Sequence, residues 1–325
     1  MRIAPRLFAL LLAGVPTHAA AQDGAQGFPN RSIRFVVPFP AGGPADTVAR
    51  FIGTRMSERW GQPVVVENRP GANTAIGAQA VARSAPDGYT LLVGMDTTMV
   101  VNPLLTPNLP YDAARDFAPV TLLTQNMSLL VVRRDGPVTA KELIARAKAN
   151  PGKLNMGAGT ITSRLGALAF LKAAGMEVML IPYKGSAEIV QGVLSGSVDF
   201  ALDSTVSSLP QIRAGQFRAL AKYGHRPVPV LPDVPSLAEA GELPSLGESS
   251  TWIGLLAPAA TPPAIVAKLQ REVAAICAEP LTLQRMENAG IFPVSNTPLE
   301  FRDFIRAETE RWGRVLRENP SIRLD

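Results

Sequence analysis

Two short stretches of the chain carry residues able to hold an anion. The first is Pro38-Phe39-Pro40-Ala41-Gly42-Gly43-Pro44-Ala45-Asp46. Gly42 and Gly43 allow backbone angles and close approaches that a side chain forbids. Pro44 suits the first turn of a helix, where N–H groups are unpaired in any case. A glycine turn entering a helix N-terminus offers backbone donors and the positive end of the helix dipole to an anion. The second stretch is Gly157-Ala158-Gly159-Thr160, where Thr160, Thr162 and Ser163 add hydroxyl donors and Arg164 a cation. The second stretch is not a nucleotide fingerprint: no Gly-Lys-Ser/Thr follows, and the third glycine of a dinucleotide loop is missing. Thr97 and Thr98 either donate hydroxyls to the same rim or cap the next turn.

Groups for bond-making chemistry are scarce. Beyond the N-terminal segment the chain has one histidine, His225, and one cysteine, Cys277. A His-based metal cluster is excluded within one chain, and a Cys/His nucleophile pair requires those two residues to meet. Cys277 lies in an alanine-rich helical pattern and reads as a small buried apolar group. No Gly-x-Ser-x-Gly elbow is present. Asp46 and Asp203 form the one carboxylate pair that can be built across a cleft for acid–base work. The plainer assignment puts Asp46 in the first turn of a helix and Asp203 at a rim or against a ligand donor. No metal or cofactor is expected.

The elements that must position these residues follow from hydrophobic pattern. Ile33–Val37 is an apolar, β-branched run typical of a strand buried on both faces, and Pro38 and Pro40 stop it. Val48, Phe51, Ile52 and Met56 form the stripe of the helix that follows. Strands at Pro63–Asn68 and Tyr89–Gly94, with a helix from Ile76 to Arg83 between them, imply a parallel α/β sheet. Binding crevices in such sheets lie beyond the carboxyl ends of the strands, which puts Pro38–Asp46 and Met95–Asn102 on one rim. Val120–Leu123 and Leu129–Val132 read as two strands leading into a second lobe. There, Leu154–Met156 precedes the second cradle and its helix, Ser163–Ala174. Val178–Pro182 runs into Tyr183 and Lys184, Ala187–Leu194 is a helix, and Val198–Leu202 delivers Asp203 and Ser204. Thr251–Leu256 returns to the first lobe. Helices then occupy Pro262–Ala278, Thr282–Ala289 and Pro298–Arg317, with Trp312 as a packing anchor.

Composition sets the address. Arg2 and Arg6, the apolar Leu7–Val15 and the small residues Ala19-Ala20-Ala21 have the layout of a secretory signal peptide, residues 1–21. Removing it takes two arginines and lowers the formal charge from +5 to +3. The remainder has no lysine- or arginine-rich run, so no nucleic-acid partner is expected. Some three hundred residues suit two lobes better than one core.

Along nearly all of that length the chain resembles the periplasmic substrate-binding proteins of tripartite tricarboxylate transporters, the Bug-type receptors. The matching stretches include Ile33–Asp46, Gly61–Ala72, Pro86–Leu92 and Leu109–Asp112. Asn150–Leu154, Pro182–Gly185, Leu231–Pro235 and Trp252–Gly254 continue the series. The resemblance implies a type II periplasmic-binding-protein fold: two α/β lobes with mainly parallel sheets and a ligand cleft at the hinge. Lobe 1 would be residues 22–126 plus 252–325 and lobe 2 residues 127–251, with crossings near 124–129 and 248–254. It further implies a monomeric, non-enzymatic receptor that binds a small organic carboxylate and presents it to membrane transporter subunits. A periplasmic sensor for a two-component system uses the same fold and is the alternative. Expected ligand contacts are Phe39, Ala41, Gly42, Gly43, Asp46, Thr97, Thr98, Gly157, Gly159, Thr160, Ser163, Arg164, Tyr183, Lys184 and Asp203. The second loop departs from the family pattern: it is shorter, and Arg164 precedes Leu165 where a histidine is usual. Arg164 either pairs with a ligand carboxylate through its planar fork or faces solvent.

Overall fold

The computed structural model describes residues 25–224, 227–244, 246 and 250–318. The expected signal segment and His225 lie outside the described residues. Two sheets share one long strand. The first runs β2 (Val64–Asn68), β1 (Ile33–Val37), β3 (Thr90–Met95), β9 (Ser250–Pro258) and β4 (Phe117–Arg133). The second runs β8 (Phe217–Tyr223), β4, β7 (Phe200–Ser204), β5 (Asn155–Ala158) and β6 (Met179–Pro182). In each, the strands that precede helices pair in parallel, β1 with β2 and β3, β5 with β6 and β7. The antiparallel pairings all involve β4 or β9.

β4 therefore joins the halves. Phe117 to Met127 pair with β9, and Ser128 onward pair with β7 and β8. The sequence pattern suggested two strands here because Thr124, Gln125, Asn126 and Ser128 interrupt the apolar run. They form one 17-residue strand instead, with register shifts after Pro119 and Leu122 that bend it. Thr121, Thr124 and Asn126 are wholly buried within it.

Helices cover the first sheet on both faces. On one, Ile33 and Phe35 pack with Ile52 and Met56 of α1 (Pro44–Trp60) and with Leu269 and Ile276 of α9 (Pro263–Ala278). On the other, Trp252 of β9 meets Phe301 of α11 (Pro298–Glu318) edge-on, with centroids 5.5 Å apart. Gly254 makes that approach possible: a Cβ there would lie 2.1 Å from the Phe301 ring. Aromatic pairs of this kind contribute about 0.5–1.5 kcal/mol beyond the area they bury. Between α9 and α11 lies α10 (Pro280–Asn288). The second sheet buries Met156, Phe170 and Phe200 on one face and Leu129, Val193 and Phe217 on the other.

Two of the elements that escaped the sequence pattern lie near the site. One is a buried π-helical turn, Thr97–Val101, running into the short helix α3 (Asn102–Leu105). The other is α7 (Thr205–Arg213), which contains Pro210 and directly follows β7 without a loop. Both lie at the junction. Val206 joins the core of the first sheet, and Thr205 donates to the Gly290 carbonyl at 3.0 Å.

Candidate functional site

Three strand–turn–helix connections converge on a small cavity between the two sheets. α1 begins at Pro44 after Gly43, α5 (Ile161–Ala174) after Thr160, and α6 (Ser186–Ser195) after Gly185. Only α5 is capped by a side chain, Thr160 Oγ1 accepting from the Ser163 amide at 3.2 Å. Gly43 and Gly185 carry no side chain, so the first-turn N–H groups of α1 and α6 have no side-chain cap. Unpaired N–H groups and three dipole ends around one cavity make a field that favours a negative group.

The inner cavity holds about 60 Å³, room for roughly four to six water-sized positions. Phe39, Ala41 and Gly43 form one wall, Gly159, Thr160 and Ser163 the second, and Gly185 to Ile189 the third. Met95, Ser128, Asp203, Ser204 and Thr251 close the floor, drawn from the ends of β3, β7 and β9 and from within β4. An outer cavity of about 600 Å³ shares Phe39, Pro40, Gly159, Thr160 and Glu188 with it. Thr97, Arg164, Tyr183 and Lys184 line that outer space, facing the turn Pro70–Thr74. Three successive non-glycine residues of this turn, Ala72, Asn73 and Thr74, have left-handed φ of 45°, 48° and 80°. Asn102 holds them there, donating from Nδ2 to the Asn73 carbonyl and, at 3.2 Å, to Thr74 Oγ1. Such conformations cost about 1–3 kcal/mol each and persist where the surroundings fix them.

The structure brings eleven of the sequence-derived candidates to these cavities and leaves four elsewhere. Asp46 is not on either wall. Its carboxylate is occupied by the Gly42 amide at 2.9 Å, by Asn68 Nδ2 at 3.0 Å and by the Arg50 fork. Burial raises its pKa, but the hydrogen bonds from Arg50, Gly42 and Asn68 outweigh burial and hold the carboxyl below the usual range. Asp46 thus braces the first loop, and the carboxylate pair with Asp203 is not assembled. Gly42 is likewise internal: its amide goes to Asp46, and its φ of 79° explains the glycine. Gly157 sits inside β5, where a Cβ would press 3.3 Å from Val198 and 3.4 Å from Tyr183; packing accounts for it. Thr98 is wholly buried within the π-helical turn, its carbonyl accepting from the Tyr111 hydroxyl at 2.5 Å. Cys277 is buried in the first core, where burial pushes its thiol up to about 11.

Sequence reasoning missed the third wall, Ser186 to Glu188, and Asp96. The Tyr183-Lys184-Gly185 turn before an apolar stripe carried the signal for the former. Asp96 is fully buried and accepts from the Thr97 amide at 2.6 Å and from Thr162 Oγ1, on α5, at 3.2 Å. Burial pushes its carboxyl up to about 7. The Asp96–Thr162 hydrogen bond, with Thr97 Oγ1 3.0 Å from Thr162 Oγ1, ties the two halves behind the cavity.

Residues 48–320 match the family described as the tripartite tricarboxylate transporter family receptor. The chain belongs to that family. Its fold is that of the family's solved members, and three show the likeness. The Rhodopseudomonas palustris protein Rpa4515, solved with adipate, is 33% identical, covers 89% of this chain and 97% of its own, and superposes with a TM-score of 0.85. MatC of the same organism, with bound malate, is 34% identical over 89% of this chain and 100% of its own, TM-score 0.80. The periplasmic binding protein BugD is 33% identical over 90% of this chain and 98% of its own, TM-score 0.82. The receptor is thus of the Bug type, with a two-sheet α/β architecture and its cavity at the junction of the sheets.

Proposed function

We propose that this receptor captures a small organic carboxylate in the periplasm and delivers it, as a monomer without catalytic activity, to the membrane subunits of a tripartite tricarboxylate-type transporter. The observation that carries this reading is the convergence of three helix N-termini, two of them uncapped, on one small cavity. That arrangement suits a carboxylate head. Residues 22–126 with 252–325 act as one lobe and 127–251 as the other, closing on the ligand about β4 and β9. The adipate and malate of the related structures support the ligand class.

The outer cavity receives the remainder of the ligand. Arg164 lines it, half-buried, with its Nε buried and without a hydrogen-bond partner. A second ligand carboxylate satisfies that donor through a charge-assisted bond, so the receptor prefers dicarboxylates or larger acids over neutral-tailed ones. A thermal-shift screen against mono-, di- and tricarboxylates and aromatic acids tests this. A ligand at a hundred times its Kd adds about 2.7 kcal/mol to the folded state and raises Tm. Dicarboxylates are expected to give the largest shift; no shift with any acid contradicts the reading.

A further inference from the structure

The inner cavity contains a negative charge of its own, on Asp203. This residue is the last but one of β7, is 3% exposed and lies on the cavity floor. Its Oδ2 accepts from Ser208 Oγ at 2.7 Å, and its Oδ1 is buried without any hydrogen-bond partner. An unsatisfied buried carboxylate oxygen is costly, because water has been removed and nothing replaces it. Asp46, in the neighbouring loop, carries a fixed counter-charge in Arg50. Asp203 has none among the described residues.

The surroundings make the omission specific. The elements packed against β7 are β4, β5, α5, α6 and α7. Their charged residues include Arg133 at the far end of β4, Arg164 and Lys172 on α5, Glu188 on α6 and Arg213 on α7. None of them forms an ion pair with Asp203, and of these only Glu188 shares the inner cavity, where it adds a second acid. Burial pushes the Asp203 carboxyl up to about 6, against the hydrogen-bonding influence of Ser186, Ser208 and the Ser204 amide. A ligand carboxylate held by the helix N-termini in so small a chamber would stand close to this charge and be repelled by it.

We propose that Asp203 is the counter-ion for a cationic group on the ligand: it selects acids bearing an ammonium group near the bound carboxylate. Resting on the carboxylate reading above, this assignment narrows the substrate class to amino acids with an acidic tail. The ammonium donates to Oδ1, the carboxylate takes the uncapped N–H groups, and the tail carboxylate extends toward Arg164. A room of four to six water-sized positions accommodates a carboxylate, one carbon and a nitrogen. A hydroxyl can also donate to Oδ1, but it leaves two like charges uncompensated in one cavity.

The linkage has a definite sign. An ammonium-bearing ligand requires ionised Asp203, so its affinity falls as pH drops through about 6. A plain carboxylate binds more easily when Asp203 is protonated, so its affinity rises over the same interval. The test is calorimetry on the full mature protein at pH 7.5 and pH 5.0. The probes are succinate with its 2-hydroxy and 2-amino derivatives, and adipate with 2-aminoadipate. At pH 7.5 the amino derivative is expected to bind at least tenfold tighter than its parent, and to lose about tenfold at pH 5.0 while the parent gains. In Asp203→Asn the amino preference and both pH trends should vanish. Parent acids that bind with no amino advantage and no opposite pH trend overturn the counter-ion role and leave the carboxylate reading intact. Equal affinity of the hydroxy and amino derivatives overturns it too. Failure of every probe to bind removes the carboxylate reading and this one together. The wild-type pH comparison decides the matter if the variant does not fold.

Discussion

The two anion loops share a plan and differ in how they are held. Pro38–Asp46 is pinned by charge: Asp46 takes the Gly42 amide, Asn68 and Arg50, and Asn68 also donates to the Phe39 carbonyl at 3.1 Å. Gly157–Arg164 is pinned by hydroxyls: the Gly159 amide donates to Ser163 Oγ at 2.9 Å, and Thr160 Oγ1 accepts from the Ser163 amide. The first loop uses its charged pair outside the cavity and presents only backbone and apolar surface inward. The second has no ion pair of its own among the described residues and leaves the Nε of its cation, Arg164, without a hydrogen-bond partner. A loop whose charges are satisfied internally recognises the common carboxylate head, whereas a loop with an unpaired cation discriminates among tails.

Removing the charged brace is expected to have the largest effect. Asp46→Ala strands the Gly42 amide, Asn68 and Arg50, and should cost about 2–3 kcal/mol of stability. Urea unfolding at neutral pH measures it. Because the folded carboxyl titrates below its ordinary value, its contribution is complete above the unfolded pKa near 3.9. It is lost as pH falls through the folded value, so wild type and variant should converge in strong acid.

On the second loop, Arg164→Ala and Arg164→Lys should both reduce affinity for the best dicarboxylate about ten- to a hundredfold, or about 1.5–3 kcal/mol. Lysine cannot reproduce the fork. Equal affinity in all three proteins, at low and high salt, would place Arg164 on the surface. Ser163→Ala removes the acceptor for the Gly159 amide and is expected to weaken binding by only about 1 kcal/mol. A loss as large as that of Asp46→Ala would erase the distinction between the loops.

Much of this arrangement was readable from residue pattern. Proline and glycine punctuation after a β-branched run located both loops, and the stripe Val48–Met56 placed α1. What glycine did in each loop was not readable, because one residue type answers three demands. Gly43 leaves a helix N-terminus open, Gly42 adopts a left-handed φ, and Gly157 makes room for Val198 and Tyr183. Asp46 looked like a ligand contact since its partners Asn68 and Arg50 come from tertiary structure. The unity of β4 was hidden by buried polar residues that only the pairing with β9 explains. α7 was hidden by Pro210 and by its direct continuation from β7.

The claim that one ligand carboxylate bridges both loops is tested most directly by calorimetry on Gly43→Val. Gly43 has an ordinary φ of −85°, and a Cβ there meets only the Pro40 carbonyl, at 3.7 Å. The backbone therefore accepts the substitution, while the added methyl groups enter a chamber of about 60 Å³. Using the acid that gives the largest thermal shift, we expect wild-type binding and no measurable heat in the variant, with an unchanged Tm in the absence of ligand. Undiminished affinity in Gly43→Val would place the carboxylate elsewhere and contradict the account.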